Sequence, residues 1–254
     1  MGFFDFLKTK DKSTDQIPKV KADRPECDIS KTQFMVELFQ IPQEKREDAW
    51  RKSFYENVQI ASYACGTPQI FNGPDGFPYF VLRTPEAGKP FESFCIRNMM
   101  DDFLLEKGFG VALNPKDNGA DWVFSYGDIL NLYLNNEFFS KTDNVELQNV
   151  ETIEKEEEVL IAQPSESYFP KQSREILKRF LQSIGVKRPM IMMVCRTINK
   201  EVVQELAFNL FAEDFANTDQ LNYRLKQISW FLPRHYVILS VPKNSDLANH
   251  FNYL

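Results

Sequence analysis

Residues 159–195 read VLIAQPSESYFPKQSREILKRFLQSIGVKRPMIMMVC, and this stretch decides the fold class. Val159–Ala162 is an apolar run of strand length. Pro170 suits the start of a helix, where a missing N–H costs no hydrogen bond. Ile176, Leu177, Phe180, Leu181 and Ile184 then recur on one helical face before Gly185. Pro189–Cys195 is apolar at every position but its neighbours, the pattern of a strand buried on both faces. Downstream, Gln204–Ala212 alternates, with Leu206, Phe208 and Leu210 on one side. A helix from Thr218 carries Leu221, Leu225, Ile228 and Leu232, and Tyr236–Val241 reads as a last strand. The order β-α-β-β-α-β predicts a ferredoxin-like split βαβ sandwich. In that topology the second and fourth strands lie on opposite edges of the sheet. An edge as apolar as Pro189–Cys195 needs cover. The C-terminal residues Leu247, Phe251, Tyr253 and Leu254 are one source, and the first domain or a second copy of the chain is another.

Immediately upstream, Lys141–Glu158 (KTDNVELQNVETIEKEEE) holds seven acidic and two basic residues and lacks both aromatics and glycine. It reads as a charged connector. Before it, Ser30 is placed to cap a helix with Phe34, Met35, Leu38 and Phe39 on one face. Pro42 opens a longer one carrying Trp50, Phe54, Val58 and Ala61. The turn Asn72-Gly73-Pro74-Asp75-Gly76 separates strands near Gln69–Phe71 and Pro78–Arg83. A helical stripe follows over Ile96–Glu106, with Gly108 as its C-terminal cap. Strands at Gly110–Leu113 and Asp121–Ser125 precede a helix from Asp128 that buries Ile129, Leu130, Tyr133 and Leu134. The chain therefore reads as α+β in four parts. These are a flexible N-terminal tail over 1–27, an N-terminal domain of a small sheet with helices over 28–140, the connector over 141–158, and the ferredoxin-like domain over 159–254.

Composition narrows the function classes. A formal charge of −6 and a pI near 5.2 argue against nucleic acid as a partner, because phosphate binding needs a basic face. Cys27, Cys65, Cys95 and Cys195 are scattered without metal spacing and read as reduced thiols. With no signal peptide and no apolar run long enough to cross a bilayer, a soluble cytoplasmic protein is expected. In the first residues, MGFFDFLK, a helix would bring Phe3, Phe4, Phe6 and Leu7 to one side. They form a candidate docking peptide or a tail packed on its own domain. One short apolar helix is a weak membrane anchor, so membrane contact is not expected.

Motifs give no catalytic, metal or cofactor site. Only two histidines are present, His235 and His250. Cys195 and His235 are the one nucleophile–base pair to consider, and the predicted topology sets them on opposite edge strands, about three strand spacings or ~14 Å apart. The acidic pairs Asp101-Asp102 and Glu213-Asp214 read as solvated surface. Gly108-Phe109-Gly110 precedes a strand and lacks the third glycine of a dinucleotide loop. Arg188, Arg196 and Arg234, with Tyr168 and His235, are candidates to rim one end of the second sheet and hold an anion. Arginines at strand ends more often serve solubility.

The run from Leu160 to Cys195 resembles the C-terminal domain of the SseB-type (enhanced serine sensitivity) proteins. The matching positions are Gln163-Pro164, Tyr168, Pro170, the helix to Ile184, and Pro189–Cys195. Gly108–Leu130 (GFGVALNPKDNGADWVFSYGDIL) is similar to that family's N-terminal domain, and the likeness spans most of residues 70–241. The long N-terminal helices and the 23 phenylalanines depart from the family. The resemblance carries no catalytic residues. It implies a bacterial cytoplasmic protein that works by contacts. The expected function is therefore a non-enzymatic interaction or regulatory module that binds another protein or itself, as a homodimer for instance. The alternative is a regulatory protein binding a small anion or amino acid between its domains.

Overall fold

The computed structural model describes residues 24–140, 159–198 and 201–254. The tail residues Phe3, Phe4, Phe6 and Leu7 and the acidic connector lie outside them. The chain is mixed α+β, with two sheets and six helices among the described residues. It divides into two compact units, one ending at Ser125 and one beginning at Tyr126.

In the first unit, α1 (Ile29–Gln40) is capped by Asp28, whose carboxylate accepts from the Ser30 N–H at 2.8 Å. The sequence pointed to Ser30 as the cap; its hydroxyl donates to the same carboxylate instead (2.7 Å). These bonds hold the Asp28 carboxyl below its usual pKa. Pro42 opens only a 3-10 turn at Gln43–Lys45, and α2 begins later, at Asp48–Val58. The periodicity of Trp50, Phe54 and Val58 is borne out, since all three are buried. Trp50 stacks on Phe54 with centroids 4.8 Å apart, Phe54 meets Trp122 at 4.6 Å, and Trp50 Nε1 donates to the Leu38 carbonyl at 3.0 Å. This cluster uses several of the phenylalanines and tryptophans that make the composition unusual.

The first sheet has the order β1-β2-β3-β4, from β1 (Ala64–Asn72), β2 (Pro78–Arg83), β3 (Gly110–Leu113) and β4 (Trp122–Phe124). The Asn72–Gly76 turn joins β1 and β2 as an antiparallel hairpin, while β2 and β3 run parallel. That parallel pair is why a helix must intervene, and α3 does so. It opens at Ile96–Met99, widens into a π turn at Met100–Leu104 and closes at Leu105–Lys107. Gly108 ends it in the left-handed conformation (φ 76°), as its position predicts. The edge strand β1 breaks register between Cys65 and Ile70, which interrupts the row of backbone groups it would offer to another strand.

The second unit opens with α4 (Tyr126–Asn135), the helix that the sequence reading assigned to the first domain. Its Tyr126 hydroxyl donates to Ser173 Oγ at 2.9 Å, and its Gly127 N–H donates to the Trp230 carbonyl at 2.9 Å. Tyr133, expected in the core, is exposed, whereas Asp128 and Asn131 are buried. The strands are β5 (Val159–Ala162), β6 (Met190–Ile198), β7 (Glu201–Phe208) and β8 (Val237–Leu239), with α5 (Lys171–Ser183) and α6 (Thr218–Ser229) between them. The β-α-β-β-α-β order is present, but the strands lie in sequence order, β5-β6-β7-β8. The second strand is therefore interior, not the edge expected of it. Its apolar character follows from that place: Ile191 is fully buried on one face and Met192 and Val194 on the other. The fourth strand does lie at an edge.

β9 (Asn252–Tyr253) pairs with β6 at Met190 and Ile191, continuing the row that β5 begins at residues 193–196. Phe251 joins the core cluster of Met192, Val194, Ala207, Leu239 and Val241, with Leu247 packed against it. The C-terminal stretch thus supplies cover for β6, one of the two sources the sequence left open.

Candidate functional site

The alternation of β6 and β7 sorts their side chains into two faces. Val194, Arg196, Glu205 and Ala207 share one face; Cys195, Thr197, Gln204 and Leu206 share the other. The same registers place the candidate residues.

Arg196 is not a free cation at a sheet end. Its Nε and Nη2 donate to Glu205 Oε2 (2.5 Å) and Oε1 (2.9 Å), and both side chains are at most 5% exposed. Arg234 is likewise engaged, donating to both carboxylate oxygens of Asp128 at 2.8 and 3.1 Å while its guanidinium lies 4.2 Å from the Phe139 ring. A planar guanidinium forks onto a carboxylate in this way, and an anionic ligand would have to displace that carboxylate. Arg188 is exposed ahead of β6, where its backbone carbonyl accepts from Asn209 Nδ2 at 2.8 Å. Arg188 precedes β6 and Arg196 lies near its far end, so the two stand toward opposite ends of the strand.

Tyr168 and His235 are brought to a common neighbour. The Tyr168 ring stacks on Tyr236 with centroids 4.2 Å apart, and His235 meets Tyr236 edge-on at 4.8 Å. Tyr236 donates its hydroxyl to the Tyr168 carbonyl, and Tyr168 donates to the Gln204 carbonyl at 3.4 Å. Burial pushes both phenols well above the usual tyrosine pKa, with the Cys195 and Glu205 charges adding to the rise at Tyr168. These phenols are therefore fixed, neutral donors. β7 lies between the strand of Cys195 and the strand that follows His235, so the expected three-strand separation becomes two.

Two depressions mark the second unit. One of about 220 Å³ is lined by Ile161, Ala162, Gln163, His250 and Asn252. The other, about 500 Å³, is lined by Phe215, Asn217, Asp219, Gln220, Tyr223 and Arg224. None of the predicted ligand residues lines either. Among the described residues no cluster of His, Cys, Asp and Glu is suited to a metal ion, and no helix is long and apolar enough to cross a membrane.

What distinguishes the surface of this unit is apolar. Leu160 on β5 is 76% exposed and Val202 on β7 is 72% exposed. Leu160 opposes Cys195, Cys195 opposes Gln204, and Val202 lies two residues from Gln204, so all four share a face. Among the described residues β5 pairs on one side only, with Leu160 on that edge strand.

Sequence reasoning missed Asp128 and Glu205, the partners that engage the arginines. Glu205 carried a weak signal, since it falls in phase with Val203 and Ala207 on the side opposite Leu206 and Phe208, and the structure buries both sides. Asp128 carried little, because an acid in the first turn of a helix is ordinarily explained by the helix dipole. Compared with protein-family models, curated proteins and solved structures, the chain gives no significant match.

Proposed function

We propose that the protein is a non-enzymatic interaction or regulatory module, whose second unit docks a protein partner at the β5–β6–β7 end of its sheet. The observation that carries this reading is the presence of two strongly exposed aliphatic side chains on one face of the sheet, Leu160 on the edge strand β5 and Val202 on β7. Exposed apolar side chains near a strand edge that no other described strand covers suit strand addition, in which main-chain bonds supply affinity and side-chain contacts supply selectivity. The SseB-type resemblance agrees with a role through contacts. The β-α-β-β-α-β order is shared with ferredoxin-like sandwiches, but fold alone assigns no activity.

The small-ligand alternative is weakened by its own residues, because Arg196 and Arg234 each already hold a carboxylate. The test is affinity co-purification from native cells with the full chain and with a Leu160→Lys/Val202→Lys variant. Substitutions at positions this exposed alter stability by roughly 0.5 kcal/mol or less each. A near-stoichiometric partner, or self-association in sedimentation, is expected with the parent and is expected to be lost in the variant. Absence of both with the parent chain overturns the reading.

A further inference from the structure

Cys27 and Cys95 are far apart in sequence, yet the fold sets the Cys27 thiol against the turn that Cys95 opens, close enough for the two thiols to interact. The fold holds them together from several directions. Arg24 Nη1 donates to Asp102 Oδ2 at 3.0 Å. Asn98, one turn beyond Cys95, donates through Nδ2 to the Pro25 carbonyl at 3.1 Å and to Cys27 Sγ at 3.7 Å. Asp28 donates its N–H to the Ile60 carbonyl at 2.8 Å and bridges to Ala61. Residues 24–28 are thus strapped along the first turns of α3, and Cys95 is the N-cap residue of that helix. Cys27 is partly accessible, whereas Cys95 is buried.

We propose that Cys27 and Cys95 form an oxidation-sensitive dithiol, a modification site that closes to an intramolecular disulfide when a peroxide reaches it. The Cys27 thiolate attacks hydrogen peroxide; an S–O bond forms, the O–O bond breaks, and the departing hydroxide leaves as water with the thiol's proton. The Cys95 sulfur then attacks the Cys27 sulfenic acid. The S–S bond forms, the S–O bond breaks, and the hydroxyl departs with the Cys95 proton as a second water. The two thiols lose two electrons and two protons, and one peroxide becomes two waters. The division of roles follows from the surroundings. Burial, with smaller contributions from the neighbouring Cys27 thiol and the Asp102 charge, pushes the Cys95 thiol up to about 12. A protonated, enclosed thiol reacts poorly with solvent oxidants, so Cys27 is the residue attacked and Cys95 the one that resolves it.

The test treats the full chain with hydrogen peroxide, traps remaining thiols with N-ethylmaleimide, and maps peptides without reduction. The expected product is one cross-linked peptide joining Cys27 to Cys95. The intact mass should fall by about 2 Da for the two hydrogens lost, and dithiothreitol should reverse the change. Of the four cysteines, two should then remain reactive in denaturant. Because the bond closes a long loop, the melting temperature should rise by several degrees in the oxidised form. Cys195→Ser should retain the cross-link and Cys27→Ser should lose it. Recovery of Cys27 and Cys95 in separate peptides, each labelled or over-oxidised, overturns the proposal. That outcome is read on the parent chain and does not depend on how any variant folds.

Discussion

Glu205 accepts two hydrogen bonds from Arg196 in a setting that leaves the carboxylate 2% exposed and the guanidinium 5% exposed. Two buried charges in such contact are costly to desolvate, and their net contribution to stability is small even when their geometry is good. Removing one is different, because the survivor is left charged and without its partner. Glu205→Gln is therefore expected to lower the unfolding free energy by about 3–5 kcal/mol, measured by urea denaturation. Replacing both, as Arg196→Met/Glu205→Leu, should recover most of that loss. A double variant as unstable as the single would show that the pair is itself a large net stabiliser. The buried tyrosines make a second prediction at this scale. Burial raises the phenols of Tyr63, Tyr126, Tyr168 and Tyr236 above the ordinary value of 10.0. Above that pH the unfolded chain releases protons that the folded chain keeps. Their contribution is thus fully present below about pH 10 and is lost as pH rises toward the folded values. Stability should be level through pH 8–9 and fall beyond pH 10, with the last of the tyrosinate absorbance appearing together with unfolding. Ionisation of all nine tyrosines while the fold persists would contradict the burial. The sequence showed these residues as core or rim, but not their pairing, which depends on strands brought together from different parts of the chain.

Helix α4 shows how an element is positioned by a single small residue. A Cβ on Gly127 would stand 1.9 Å from the Leu232 carbonyl oxygen, and the glycine N–H is the donor to Trp230. The backbone of the 230–232 turn therefore sits where any side chain would go. Gly127→Ala is expected to cost about 2–3 kcal/mol of stability, since the obstruction is main chain and no rotamer can relieve it. Thermal unfolding reads this directly; a melting point unchanged by the substitution would mean that the helix can slide without penalty. The elements themselves were legible because their signals are local. Pro170 and Gly185 bracket α5, Asn217 caps α6 through the Gln220 N–H at 2.9 Å, and Gly108 closes α3. The π turn at Met100–Leu104 was not legible, because a stripe of Ile96, Met99, Met100 and Leu104 fits an ordinary helix nearly as well. Nor was the interior place of β6, because an apolar strand shows that both faces are covered without showing which strands lie beside it.

At the scale of the whole chain, the sequence marks its division by composition and the fold marks it by contact. The acidic connector at 141–158 is the obvious boundary on paper, yet the compact second unit begins at Tyr126. Periodicity showed that α4 has an apolar face but was silent on what that face meets. Within the second unit its attachments are the Tyr126–Ser173 bond, the Asp128–Arg234 pair, the Gly127–Trp230 bond and the ring contact of Tyr126 with Phe231 at 6.0 Å. A fragment beginning at Val159 lacks all of these. It strips Arg234 of the Asp128 carboxylate and Ser173 of the Tyr126 hydroxyl. Each such bond lost costs about 1 kcal/mol, and more where a buried polar group is left unsatisfied. The fragment 126–254 should therefore unfold cooperatively in urea, whereas 159–254 should show a much lower midpoint or a non-cooperative transition. Equal midpoints for the two fragments would place the boundary at the connector after all, and would make α4 a helix that the second unit does not need.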